Sequence, residues 1–150
     1  MGVGYDSDLL VWSGEQADLL RRLAAGERVN DQIDWLNVAE EIEALGKSDR
    51  RELHSRIATV LLHLIKLQAS PAAALRASWR ETVREQRSGI QMLLDDSSRL
   101  RPLVPDIIGK LLIEARKKAS ASLADRGEEP GVDLAGLGYT EDQVLGSWLP

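Results

Sequence analysis

An all-α fold, an up-and-down antiparallel bundle of about five helices with a C-terminal docking tail, is predicted by three observations. Leu, Ala, Glu and Arg dominate the 150 residues, while aromatic residues make up 4% and Phe is absent. β-Branched clusters are scarce, so helix propensity outweighs strand propensity. Apolar residues recur at spacings of three and four, and Gly, Pro or Ser/Thr punctuates each run.

The first run starts at Asp8, carries Leu9, Trp12, Leu19, Leu20 and Leu23, and stops at Gly26, a natural site for a left-handed cap. After the polar turn Glu27 to Asp31, the stripe Trp35, Val38, Ala39, Ile42 and Leu45 predicts a second helix from Asp34 to Leu45, ended by Gly46. Ser48 and Asp49 can cap a third, whose face Leu53, Ile57, Val60, Leu61, Leu64 and Leu67 runs until Ser70 and Pro71 break it. Ser78 with Glu81 reads as a capping box for a fourth helix bearing Trp79, Val83, Ile90 and Leu94. Pro102 and Pro105 belong in the first turn of a fifth, which Ile108, Leu111, Leu112 and Ala115 carry toward Ala124. Gly127 to Gly138 is a loop, and Thr140 with Gln143 predicts a short capped turn that pins Trp148 and Leu149 to the body. A chain of this length suits one domain over residues 1–150.

Charge and composition then exclude several functions. Lys plus Arg number 19 against 24 Asp plus Glu, a net of −5, which disfavours a general nucleic-acid or anionic-membrane binder. No apolar run is long enough to span a bilayer, so a soluble protein without membrane attachment is expected. The absence of cysteine excludes disulfides, thiolate metal sites and cysteine nucleophiles. Met1 to Val11 has no basic region followed by an apolar one, so no secretory signal is expected and the compartment is read as cytoplasmic.

Polar residues on the apolar stripes supply the site candidates. On the fourth helix Arg87, Arg80 and Gln86 fall within about 60° of Val83, inside the core stripe. On the second helix Glu41 and Glu43 flank Ile42 at about 100° on either side. A guanidinium withdrawn from water needs a carboxylate or a ring of backbone carbonyls. The expected arrangement is a partly buried layer in which Arg80 and Arg87, assisted by Gln86, pair with Glu41 and Glu43. Two readings of that layer stay open: a structural network that fixes helix register, and a pocket for an anion or phosphate group.

The third helix adds Leu62, His63 and Lys66, about 120° or more away from Ile57 and so off its core stripe. That face is a candidate for protein contact or for a homodimer, and His63 with Lys66 can bind phosphate or share acid–base duty. His54 and His63 lie nine residues apart on opposite sides of one helix, and neither has an acid three positions before it. No metal is therefore expected. Arg76, Arg80, Arg84 and Arg87 form a basic stripe that can track phosphates, but Glu81 and Glu85 blunt it and only Trp79 is at hand to stack on bases. No phosphate loop, serine-nucleophile motif or zinc-hydrolase motif is present, so no cofactor is implied.

The order of short motifs is also distinctive. Tyr5-Asp6, Trp12 and Gln16 precede the segment Asn37 to Gly46, which contains Ala39-Glu40-Glu41-Ile42-Glu43-Ala44-Leu45-Gly46. Leu61 to Lys66 and Ser78-Trp79-Arg80-Glu81-Thr82-Val83-Arg84-Glu85-Gln86-Arg87 follow, and Leu149-Pro150 close the chain. The chain resembles the bacterial domain of unknown function family twenty-nine over nearly its whole length. The resemblance implies an all-helical bundle with no established activity. It carries Glu40, Glu41, His63, Lys66, Trp79, Arg80, Glu85, Gln86 and Arg87 over as motif positions without roles. The chain departs from the family at its tail, where Gly146-Ser147-Trp148 stand in place of an acidic segment with Phe.

The leading expectation is a non-catalytic protein-interaction module, homodimeric through the Leu62 face. The alternatives are an enzyme or anion-binding protein built on Glu41, Arg80 and Arg87, and a nucleic-acid binder that uses the arginine stripe.

Overall fold

A computed structural model describes residues 4–150, so part of the Met1–Val11 reading, residues 1–3, lies outside the described residues. The described residues contain five α-helices and no strand: α1 Leu9–Ala24, α2 Trp35–Ala69, α3 Arg76–Asp96, α4 Val104–Asp125 and α5 Glu141–Leu145. The all-α expectation therefore holds. Short 3-10 turns precede α2, α3, α4 and α5. None of the described helices is long and apolar enough to cross a membrane. The chain divides into two compact units, residues 1–48 and 49–150, and the division falls within α2.

In the first unit, Asp8 caps α1 by accepting from the Val11 backbone N–H at 3.1 Å. Gly26, at φ +97°, ends it with the left-handed turn expected of glycine, and the Glu27 N–H closes back on the Arg22 carbonyl at 3.0 Å. Among the described residues of this unit, Trp12, Gln16, Val29 and Ile33 are buried.

The second unit gathers its core from three helices and the tail. Leu53, Ile57, Val60, Leu61, Leu64 and Ile65 of α2 meet Val83 and Ile90 of α3 and Val104 and Ala119 of α4. Val144 of α5 is fully buried among them. Thr140 forms the predicted capping box: it accepts from the Gln143 N–H at 3.1 Å, and Gln143 Oε1 accepts from the Thr140 N–H at 2.9 Å.

Three local expectations need correction. The second and third helices are one 35-residue helix, because Gly46 and Ser48 stay helical. A glycine inside a helix costs only about 1 kcal/mol relative to alanine, which does not suffice to end one whose flanks are both favourable. Asp49, freed from capping, accepts instead from Ser97 Oγ at 3.2 Å. The Ser78–Glu81 box does not form, since α3 begins two residues earlier, at Arg76, and the Ser78 carbonyl accepts from Thr82 Oγ inside the helix. Pro102 sits in the 3-10 turn Ser98–Leu103, leaving Pro105 alone in the first turn of α4.

Candidate functional site

The stripe expected to bury the start of α2 is open to solvent. Trp35 is 50% exposed, and Ile42 and Leu45 are each 65% exposed. Leu9, Leu10, Val11 and Leu36 are exposed as well, so among the described residues seven of the eleven exposed large apolar ones lie in the first unit. Residues 1–48 hold four basic against ten acidic residues, a net of −6, whereas residues 49–150 hold fifteen against fourteen, a net of +1. The excess negative charge of the chain is thus concentrated where its apolar surface is uncovered.

Beneath that surface runs a polar network. Trp12 Nε1 donates to Asp34 Oδ2 at 3.1 Å, and Asn37 Nδ2 donates to the same oxygen at 2.8 Å. The Asp34 backbone N–H donates to Gln16 Oε1 at 2.8 Å, which satisfies a buried glutamine at the start of α2. Tyr5 packs edge-on against Trp12, with ring centroids 4.9 Å apart at 78°, and its hydroxyl donates to Glu41 Oε1. That bond, with lesser contributions from burial and the neighbouring carboxylates, pushes the Tyr5 pKa up to about 12. Tyr5 therefore stays a proton donor at neutral pH. Leu9, Leu10, Trp12, Ser13 and Glu41 line a cavity of about 470 Å³ beside the network.

Of the sequence candidates in this unit, Glu41 is half-buried on Tyr5 and Glu43 is exposed. The sequence assigns no site role to Tyr5, Gln16 or Asn37 and reads Trp12 only as part of the apolar run of α1, although all four stand in the motifs that carry the resemblance. Asp34, which joins three of them, reads in the sequence only as a helix start.

In the second unit, Arg87 is buried and its partners are backbone carbonyls, the second of the two solutions a withdrawn guanidinium allows. Its Nε donates to Val144 O at 2.9 Å, and Nη2 donates to Gln143 O and Trp148 O, each at 2.6 Å. Burial lowers its pKa, but a guanidinium remains charged throughout the physiological range. Arg76 spans Leu67 O at 2.5 Å and the Pro150 main-chain oxygen at 3.4 Å, and Arg116 donates to Leu137 O. Three arginines of α3 and α4 thus hold the segment 137–150 by its backbone. The tail docks through carbonyls that are available whatever side chains it carries. Gln86 accepts from Arg56 Nη1 at 3.2 Å, and Arg56 Nε also donates to Glu52 at 3.0 Å. Arg80 is half-buried, with no ion pair among the described residues. Arg76 and Arg87 are committed to carbonyls, which leaves Arg80 and Arg84 of the proposed phosphate-tracking stripe.

The Leu62, His63 and Lys66 face is met by the chain's own elements. Leu62 packs on the core and, with Thr59, lines a small cavity against Leu111 and Ala115 of α4. The His63 Nδ1–H donates to Thr59 O at 2.8 Å, while burial and the nearby Lys66 charge lower its pKa against that bond. Lys66 Nζ and the Arg126 guanidinium stand 5.8 and 5.0 Å from the Trp79 ring centre. Burial and Arg126 lower the Lys66 pKa, and Glu128 opposes them. Glu128 pairs with Arg126 at 2.7 Å and accepts from Ser70 Oγ at 2.9 Å, so this cluster is largely neutralised from within.

A family model described as "Domain of unknown function DUF29" matches residues 4–131. No curated protein and no solved structure matches the chain.

Proposed function

We propose, from the premise that the chain belongs to the DUF29 family, that it is a protein-interaction module whose first unit docks an amphipathic, basic helix of another protein. One observation carries this reading: Trp35, Ile42 and Leu45 form an exposed apolar stripe on a unit of net charge −6. Around α2, Trp35, Val38, Ile42 and Leu45 follow at three, four and three residues, the spacing by which one helix seats another. Glu41 and Glu43 border that seam on its two sides. A second copy of the same unit would bring like charges together, which opposes close approach. A basic partner helix gains from both the apolar contact and the field.

The test uses a synthetic Leu/Lys amphipathic helix of about 18 residues as probe, titrated calorimetrically, with sedimentation of the protein alone. Saturable one-to-one binding, weakened about tenfold or more by the double substitution Ile42→Ser and Leu45→Ser, is expected. Equal binding by the double variant overturns the reading. So does a dimer in the absence of peptide that the same double substitution dissociates, since the occupant is then a second copy.

A further inference from the structure

The cavity beside the apolar stripe has one polar feature left open. Ser13 Oγ donates to the Leu10 carbonyl at 2.9 Å, and the Trp12 indole N–H is committed to Asp34. Glu41 gives Oε1 to Tyr5, and its second oxygen has no partner among the described residues. Leu9, Leu10 and Trp12 supply apolar walls, and Leu10 is 82% exposed at the mouth. Such a site has an apolar floor and a single fixed negative charge at its rim. It suits a cation carried on a flexible hydrocarbon stem.

Resting on the interaction reading above, we infer that this cavity receives a lysine or arginine side chain of the partner helix, its stem against Leu9, Leu10 and Trp12 and its charged head on the open Glu41 oxygen. Position supports the assignment. Glu41 lies about 40° from Leu45 around α2, so a helix seated on the stripe carries its flanking side chains over the cavity mouth. Size permits it too, because about 470 Å³ lies within the roughly 300–1,000 Å³ of cavities that bind small ligands. Tyr5 holds the carboxylate in place, and as a proton donor well above neutral pH it does not release it. The cationic anchor selects the register of the partner helix, while the stripe supplies the apolar contact.

The experiment compares two probes with the same leucine face, the Leu/Lys helix and a Leu/Gln helix, on wild type and on Glu41→Gln. Glutamine at 41 keeps an acceptor for Tyr5 and replaces the open anionic oxygen with a neutral amide NH2 of the same size. Wild type is expected to prefer the Leu/Lys probe by about tenfold, and Glu41→Gln to lose about fivefold on that probe and nothing on Leu/Gln. A second variant, Ser13→Met, fills the cavity without altering charge and is expected to weaken the Leu/Lys probe to a similar degree. Unchanged melting of both variants separates these effects from misfolding. Equal losses on both probes, or none on either, overturn the inference. If wild type prefers the Leu/Lys probe, the Ile42→Ser, Leu45→Ser variant binds neither probe and Glu41→Gln loses nothing, the interaction reading stands and the anchor falls. If wild type binds neither probe, both fall together.

Discussion

Arg87 is the point at which the architecture is most exposed to a single substitution. Arg87→Met keeps the apolar stem in the core and deletes the guanidinium that ties Val144, Gln143 and Trp148 to α3. A hydrogen bond to a charged donor contributes about 1.5–3 kcal/mol, so the three amount to roughly 5–9 kcal/mol before compensation. Releasing a guanidinium from burial returns several kcal/mol, and water can reach carbonyls at the tail's edge. The net loss is expected at about 2–4 kcal/mol. With a urea slope of about 2 kcal/mol/M for a domain of this size, the unfolding midpoint falls by about 1–2 M. Urea titration followed by far-ultraviolet circular dichroism measures this, and hydrogen exchange of the α5 amides shows whether the tail opens first. Arg87→Lys, a point charge that cannot span three carbonyls, should fall between the two. A midpoint for Arg87→Met within about 0.3 M of wild type would refute the claim that the carbonyl ring stabilises the fold.

Three further outcomes follow from local geometry. A Cβ on Gly89 would overlap the Nη1 and Cζ atoms of Arg56, so Gly89→Ala displaces a flexible guanidinium that otherwise bonds Glu52 and Gln86. Its cost should nearly cancel the roughly 1 kcal/mol helix gain of alanine, and in an Arg56→Ala background the same change should stabilise by about that amount, read as a double-mutant cycle in urea. A Cβ on Gly146 would meet the Asp142 carbonyl oxygen at 2.5 Å, which is backbone and cannot yield without breaking the end of α5; Gly146→Ala is expected to cost about 1–3 kcal/mol and to speed cleavage of the tail in limited proteolysis. Because the folded pKa of His63 lies below its ordinary value of 6.5, the unfolded chain takes up the proton first, and stability is lost as pH falls from 6.5 toward the folded pKa. The urea midpoint of wild type should therefore drop more between pH 7.5 and pH 5.5 than that of His63→Asn, and parallel profiles would contradict this.

How much was legible depends on what kind of partner each residue found. Helix class, the Gly26 stop and the Thr140–Gln143 box were readable because they rest on chemistry within a few neighbouring residues. The continuity of α2 was also encoded, though in phase rather than in composition. Ile42, Leu53 and Leu64 are each eleven residues apart, a spacing of three turns with a residual of about 20°, so both stripes share one face of one helix. Gly46 and Ser48 were local signals for a break, and the intact phase across them was the stronger signal against one. The acceptors of Arg87 were not legible, since carbonyls of residues 143, 144 and 148 belong to backbone that every sequence possesses. Arg87 on a core stripe announces that a partner exists and leaves open whether that partner is a carboxylate. Periodicity likewise could not tell that Trp35, Ile42 and Leu45 face water, because an apolar stripe records a preference for burial and not its fulfilment.

That unfulfilled preference ties the first unit's stability to its proposed role. Among its described residues the buried ones are Trp12, Gln16, Val29 and Ile33, and its interior is joined largely through Asp34, which accepts from Trp12 and Asn37 and donates its N–H to Gln16. A segment of this size with so small a core is marginal by surface-to-volume scaling. Directional polar bonds supply what apolar area does not, and they fix the geometry of α1 against the start of α2, which places Glu41 at the cavity rim. Covering Trp35, Ile42 and Leu45 with a partner adds the missing apolar burial, so binding and ordering of this unit reinforce one another. Evolution of a larger private core here would strengthen the unit alone and would consume the surface on which the interaction depends. The uncovered stripe and the polar interior are, on this view, two parts of one solution to presenting an apolar face without collapsing upon it.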